Sequence, residues 1–240
     1  IIPVFLSVLA GITQNFFVGI KSGFTIRWII EVLSLYSETI YLSLIIAITC
    51  LLTTLIIGIP AAYVLARIGG RISRFIEETI VLPVAVPGLA IALSLIIIYG
   101  GYREFRSSWY FILVGHVVFT LPFMVRSVLA VLSSTNFKEL EEGAASLGAP
   151  FWTRFLTIVL PNIKPGILAG SLMVFTLSIG EFNLTWMLHT PMTKTLPVGL
   201  ADSYASMRLE VASAYTLIFF IMIIPLLLCM QYLSKDKNKN

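Results

Sequence analysis

Ile40–Ala66 reads IYLSLIIAITCLLTTLIIGIPAAYVLA, a run without a charged side chain that stops at Arg67. About 20 consecutive apolar residues carry a helix across a bilayer core, whereas a membrane β-strand alternates and is about half as long. This run is therefore a membrane-spanning helix, and similar runs lie on either side of it. Downstream come Thr79–Tyr99, with Pro83, Pro87 and Gly88 in its first half, then Trp109–Leu132, Pro165–Leu188 and Ala212–Leu233. Upstream, Ile1–Phe17 is weaker because it contains Gln14 and Asn15, and it is expected to be a truncated first helix. The expectation is an all-α membrane protein with six transmembrane helices in a single domain, residues 1–240.

Composition agrees with that reading. Hydrophobic side chains make up 58% of the chain and charged ones 12%, with a mean hydropathy of +0.96. Soluble domains are about one-quarter charged, and disordered chains are poor in apolar residues, so both classes are excluded. Cys50 and Cys229 fall in apolar runs and read as small core residues, not as a disulfide framework. The net charge of +4 is an orientation signal and no nucleic-acid footprint. Cytoplasmic loops hold the Lys/Arg excess. Arg67, Arg71 and Arg74, then Lys138, Arg154 and Lys164, then Lys235, Lys237 and Lys239 all fall on one side of a six-helix arrangement. Lys21, Arg27, Arg103, Arg106, Lys194 and Arg208 are spread along the longer loops of the other side. Both termini are thus expected in the cytoplasm. The outer stretch Gly23–Thr39 is amphipathic and is expected to lie along the interface.

The segment between the fourth and fifth helices is far longer than a turn requires. Glu139, Glu141 and Glu142 stand early in it, where acids complement a helix N-terminus, and Gly148 supplies a stop. Pro150 then opens a second short helix, with Phe151, Phe155, Ile158 and Val159 at helical spacing, and Pro161 closes it. Residues 137–161 thus form a helix–turn–helix on the cytoplasmic side. Its small residues would let another surface approach closely; the plainer alternative is an amphipathic loop resting on the headgroups.

Glu142-Gly143-Ala144, three residues ending in Leu147, Gly148, nine residues, then Ile158-x-Leu160-Pro161 resembles the EAA motif of ABC importer permeases. It departs from that motif once, at Gly143, where the family has Ala. Gly115-His116, Leu121-Pro122-Phe123 with Arg126, Gly180-Glu181-Phe182-Asn183 and Thr195-Leu196-Pro197 are similar to the polyamine and iron(III) branch of the type I importers. The resemblance implies a permease subunit in a bacterial inner membrane. It further implies that Glu142, Gly143, Ala144, Leu147, Gly148, Ile158, Leu160 and Pro161 dock on an ATP-binding subunit. The partners implied are two ATP-binding subunits holding ATP and Mg, a second permease, identical or paralogous, and an extracytoplasmic solute-binding protein. No cofactor is implied in this chain. The implied solute is small and charged, with polyamines first and aminoalkylphosphonate or iron(III) next.

Glu181 is the costliest residue of the set, since an unpaired acid inside a membrane helix costs at least about 2.5 kcal/mol. It reads either as a path-lining carboxylate for a cationic solute or as a gating residue bonded to neighbours such as Asn183 or Thr185. Pro87 and Gly88 break the third helix and free backbone carbonyls that can line a path. Arg126 is expected near the cytoplasmic face, where it can snorkel or pair with an acid, and His116 lacks the companions a metal site needs. There is no G-x-x-x-x-G-K-[ST] loop, H-E-x-x-H or Ser–His–Asp set, so neither ATP binding by a P-loop nor catalysis is expected. The rival readings are a stand-alone channel or ion-coupled carrier, which needs coupling sites of its own, and a membrane-embedded hydrolase, which needs a catalytic set.

Overall fold

The computed structural model describes residues 2–134 and 137–235. Ile1, Lys237 and Lys239 lie outside the described residues, as do the side chains of Cys229 and Lys235. The first helix, α1 (Ile2–Ala10), has nine residues. The apolar run expected to continue to Phe17 instead turns at Gly11, where a Cβ would come within 2.8 Å of the Ser213 backbone. Asn15 Oδ1 accepts the N–H groups of Phe17 and Val18 at 2.9 and 3.1 Å. Polar residues that weaken a span here build a turn.

The amphipathic α2 (Arg27–Leu35) buries Val32 and exposes Ile30 and Leu33. Next, α3 (Ser37–Ile68) is 32 residues long, about 48 Å at helical rise, so it outruns the bilayer core. Gly69 and Gly70 follow with φ of 58° and 69°, left-handed conformations that cost glycine no Cβ clash. They reverse the chain into α4 (Gly70–Ala85). Pro87 lacks an N–H and pushes the preceding residue out of the helical region; Val86 is accordingly extended, with φ −91° and ψ 132°. The next helix, α5 (Gly88–Tyr99), therefore leaves at 102° to α4, and the expected third crossing is a broken pair.

After the short α6 (Arg103–Ser107) comes α7 (Trp109–Ser134). The segment between the expected fourth and fifth helices forms the expected helix–turn–helix, α8 (Phe137–Ser146), then α9 (Phe151–Arg154), a π-helical turn over Phe155–Val159, and α10 (Leu160–Asn162), which runs through Pro161 instead of closing there. The chain then bends by 66° into α11 (Lys164–Ile179). The expected fifth crossing does not run unbroken to Leu188; it ends at Ile179 and resumes as α12 (Asn183–Leu188). Last come α13 (Leu196–Ala205) and α14 (Leu209–Lys235). Among the described residues, α3, α7 and α14 as far as Leu228 are long and apolar enough to cross a membrane unbroken. The α4–α5 pair and Phe151–Asn162 with α11 meet the same criterion as bent pairs.

The core is the contact of α3, α7 and α11, closed by small residues as membrane helices require. A Cβ on Gly166 would stand 2.6 Å from the Ser127 carbonyl oxygen, and one on Gly58 2.8 Å from Met124 Cγ. Cys50, Met124, Val128 and Val174 fill the seam. Large apolar side chains such as Ile56 and Ile97 face outward, where acyl chains replace water.

Candidate functional site

The two helix breaks face each other. A Cβ on Gly88 would lie 3.5 Å from Asn183 Cβ and 3.6 Å from Glu181 Oε1, ordinary contact distances. Pro87, Gly88, Glu181 and Asn183, singled out separately in sequence, thus meet at one place, with Asn183 exposed there. Pro87 makes the break, whereas Gly88 has room for a methyl group.

Glu181 is occupied. Its Oε1 accepts the Leu184 N–H at 2.8 Å, and its Oε2 accepts the Thr185 N–H and hydroxyl, both at 2.8 Å. Those N–H groups are the ones a helix start leaves without an internal partner, and a carboxylate satisfies them with charge-assisted bonds. Behind it, buried His116 meets Ser178 Oγ through Nδ1 and Thr185 Oγ1 through Nε2, each at 2.8 Å, with Nε2 3.9 Å from Glu181 Oε2. Thr120 donates to the His116 carbonyl at 2.7 Å and approaches Cys50 Sγ at 3.2 Å. A polar chain therefore links α3, α7, α11 and α12 at the break. The far end of α12 is held too: Arg106 donates to the carbonyls of Leu188 and Met187 at 2.7 and 3.4 Å. Arg106 thus caps a helix C-terminus. Arg126 lies 3.9 Å from Glu77, the acidic neighbour expected for it.

On the α8–α10 segment, Glu142, Gly143 and Gly148 are exposed, as is Pro161, while Ala144, Ile158 and Leu160 are half-buried. Leu147 is 90% exposed and Trp152 68%. Gly148, at φ +85°, ends α8, with its N–H on the Ala145 carbonyl and the Ala149 N–H on that of Ala144. This is the glycine stop its sequence position suggests.

The residue that sequence reasoning missed is Glu141. It is 1% exposed, and its carboxylate takes Arg67 Nη2 at 2.7 Å and the Tyr63 hydroxyl at 2.8 Å. Two adjacent acids do not reveal which one faces inward. The available signals were the i,i+4 pairs Tyr63/Arg67 on α3 and Phe137/Glu141 on α8, each of which shares one helix face.

Comparison with known proteins places the chain as a whole. The family described as "Binding-protein-dependent transport system inner membrane component" matches residues 54–239. The putative 2-aminoethylphosphonate transport system permease protein PhnV of Salmonella typhimurium is 25% identical over 232 residues, covering 96% of this chain and 86% of PhnV. The molybdenum transport system permease protein ModB of Haemophilus influenzae is 31% identical over 218 residues, covering 84% and 95% respectively. The sulfate transport system permease protein CysT of Escherichia coli is 35% identical over 140 residues, covering 53% and 50%. Among solved structures, a bacterial ABC transporter involved in import of the acidic polysaccharide alginate superposes with a TM-score of 0.78 at 14% identity, covering 100% of this chain and 91% of that one.

Proposed function

The chain belongs to the binding-protein-dependent inner-membrane components, the permease subunits of type I ABC importers, and on that premise we propose a role for each of its two sites. The α8–α10 segment docks on an ATP-binding subunit, and the facing breaks at Pro87 and Glu181 form the gate of the solute path. ATP and Mg then act on the partner subunits, and a second permease and an extracytoplasmic binding protein complete the importer.

The observation that supports the dock is Leu147. It is 90% exposed, in a segment that also exposes the charged Glu142. Covering a leucine is worth about 1.5–3 kcal/mol, and Trp152 adds a second large apolar group at 68% exposure. A docking partner relieves both.

The gate reading of Glu181 rests on its hydrogen bonds. Both oxygens hold the start of α12, so the carboxylate has little left to offer a cation. For that reason, and because the named relatives are phosphonate, molybdenum and sulfate permeases, the proposed solute is a small oxyanion or aminoalkylphosphonate in preference to a polyamine. The test is ATP-dependent uptake by the reconstituted importer carrying Leu147→Glu. Loss of ATP-binding subunits with normal membrane levels of the permease is expected; full retention and uptake would overturn the dock. Competition of uptake by 2-aminoethylphosphonate, sulfate, molybdate and spermidine then tests the solute, and competition by spermidine alone would contradict it.

A further inference from the structure

Within the proposed docking segment, Glu141 of α8 is the buried acid. Its neighbour Glu142 points out to the docking surface, while Glu141 is 1% exposed and faces α3. There it accepts from Arg67 at 2.7 Å and from the Tyr63 hydroxyl at 2.8 Å, and Arg67 Nε donates to that same hydroxyl at 3.2 Å. The three side chains are thus bonded pairwise. Aromatic packing extends it: the Tyr63 ring meets Phe151 and Phe155 edge-on, with centroids 6.1 and 5.4 Å away. Arg154 reaches back to the Glu141 carbonyl at 3.4 Å, so both arms of the helix–turn–helix hold the same residue.

Arg67 and Tyr63 occupy the last turns of α3, one step before the left-handed pair Gly69–Gly70. The next helix, α4, is tied back to this end of α3 by the Ser73 hydroxyl, which donates to the Leu65 carbonyl at 2.7 Å. It ends at the Val86–Pro87 break beside Glu181. A displacement of α8 therefore has a hydrogen-bonded route into α3 and α4, and α4 ends at the gate. A buried ion pair contributes little net stability against an apolar replacement, and fixing one arrangement of two elements is among its better-attested uses.

We propose that the triangle of buried Glu141 with half-buried Arg67 and Tyr63 is the positioning link that converts movement of the docked α8–α10 segment into movement of α3 and α4, so that its loss uncouples ATP hydrolysis from solute passage. The proposal rests on the dock reading of Leu147. It differs from that reading in what its loss does: the ATP-binding subunits stay bound and keep hydrolysing ATP, and only transport per ATP falls.

The experiment uses the whole importer in proteoliposomes and records retained ATP-binding subunit, ATP hydrolysis and uptake for Glu141→Gln, Arg67→Glu and the exchange pair Arg67→Glu with Glu141→Arg, beside Leu147→Glu. For Glu141→Gln the expected result is normal subunit retention with uptake per ATP reduced roughly tenfold, within the usual range of coupling between sites. Arg67→Glu sets two acids face to face and should fall further, and the exchange pair should recover part of the uptake per ATP. Wild-type uptake per ATP in Glu141→Gln overturns the proposal. So does loss of the ATP-binding subunit from Glu141→Gln, because the triangle then only shapes the dock. Failure of the dock reading has a different signature, retention and uptake both intact in Leu147→Glu.

Discussion

At the scale of single residues, environment decides between side chains that look alike in sequence. Gly143 and Gly148 both sit in the motif of small residues, and a Cβ on either meets nothing within 4 Å. Gly143 lies inside α8, so Gly143→Ala should stabilise that helix by about 1 kcal/mol. Gly148 is left-handed at φ +85°, so Gly148→Ala should destabilise the turn by about 1–2 kcal/mol. Amide exchange across α8 measures both, and effects of the same sign would contradict the conformational assignment. Glu181 gives a second contrast. Glu181→Gln weakens hydrogen bonds to a charged acceptor, each worth about 1.5–3 kcal/mol, and so loosens α12. Uptake should fall while the ranking of competing solutes stays the same; a changed ranking would return Glu181 to the solute path. Glu181 and Asn183 were legible in sequence because an acid and an amide are costly in an apolar run. Glu141 was not, since a buried acid beside an exposed one has no signature until a partner on another helix is known.

At the scale of elements, apolar runs showed where helices lie better than where they break. The α3 and α7 spans match their runs to within a few residues, even though Pro60 and Pro122 lie inside them. The Val86–Pro87 break was legible through proline chemistry. The break after Ile179 was not, since it depends on Glu181 satisfying the N–H groups of α12 and on His116 from another helix. Ile1–Phe17 was read as one span because composition cannot tell that α1 abuts the α14 backbone at Gly11. The seam of α7 and α11 yields a further prediction. Gly166→Ala places a methyl group 2.6 Å from the Ser127 carbonyl oxygen, which belongs to the backbone and cannot rotate away. Overpacking of this kind costs about 1–3 kcal/mol, so the thermal midpoint in detergent should drop. Gly88→Ala, with its nearest neighbours at 3.5 Å, should leave the midpoint unchanged. Equal effects of the two would mean that the α7–α11 seam is looser than described.

At the scale of the whole molecule, two ends are distinguished by their contacts. The end of α3 meets α8 through Arg67 and Glu141, which places the arginine cluster with the Lys138–Lys164 segment. At the opposite end Arg208 pairs with Glu31, Lys194 pairs with Asp202, and Arg106 caps α12. Membrane-impermeant thiol reagents applied from outside should reach a cysteine placed at Asp202 or Ser107 and not one at Gly69; labelling at Gly69 would reverse the orientation. The central claim is that α8–α10 meets an ATP-binding subunit, and it is tested most directly by a photo-crosslinking amino acid at position 147 in the assembled importer. The account predicts a crosslink to the P-loop subunit from position 147 and none from position 202. A crosslink from position 147 to lipid alone, with the importer intact, would contradict it.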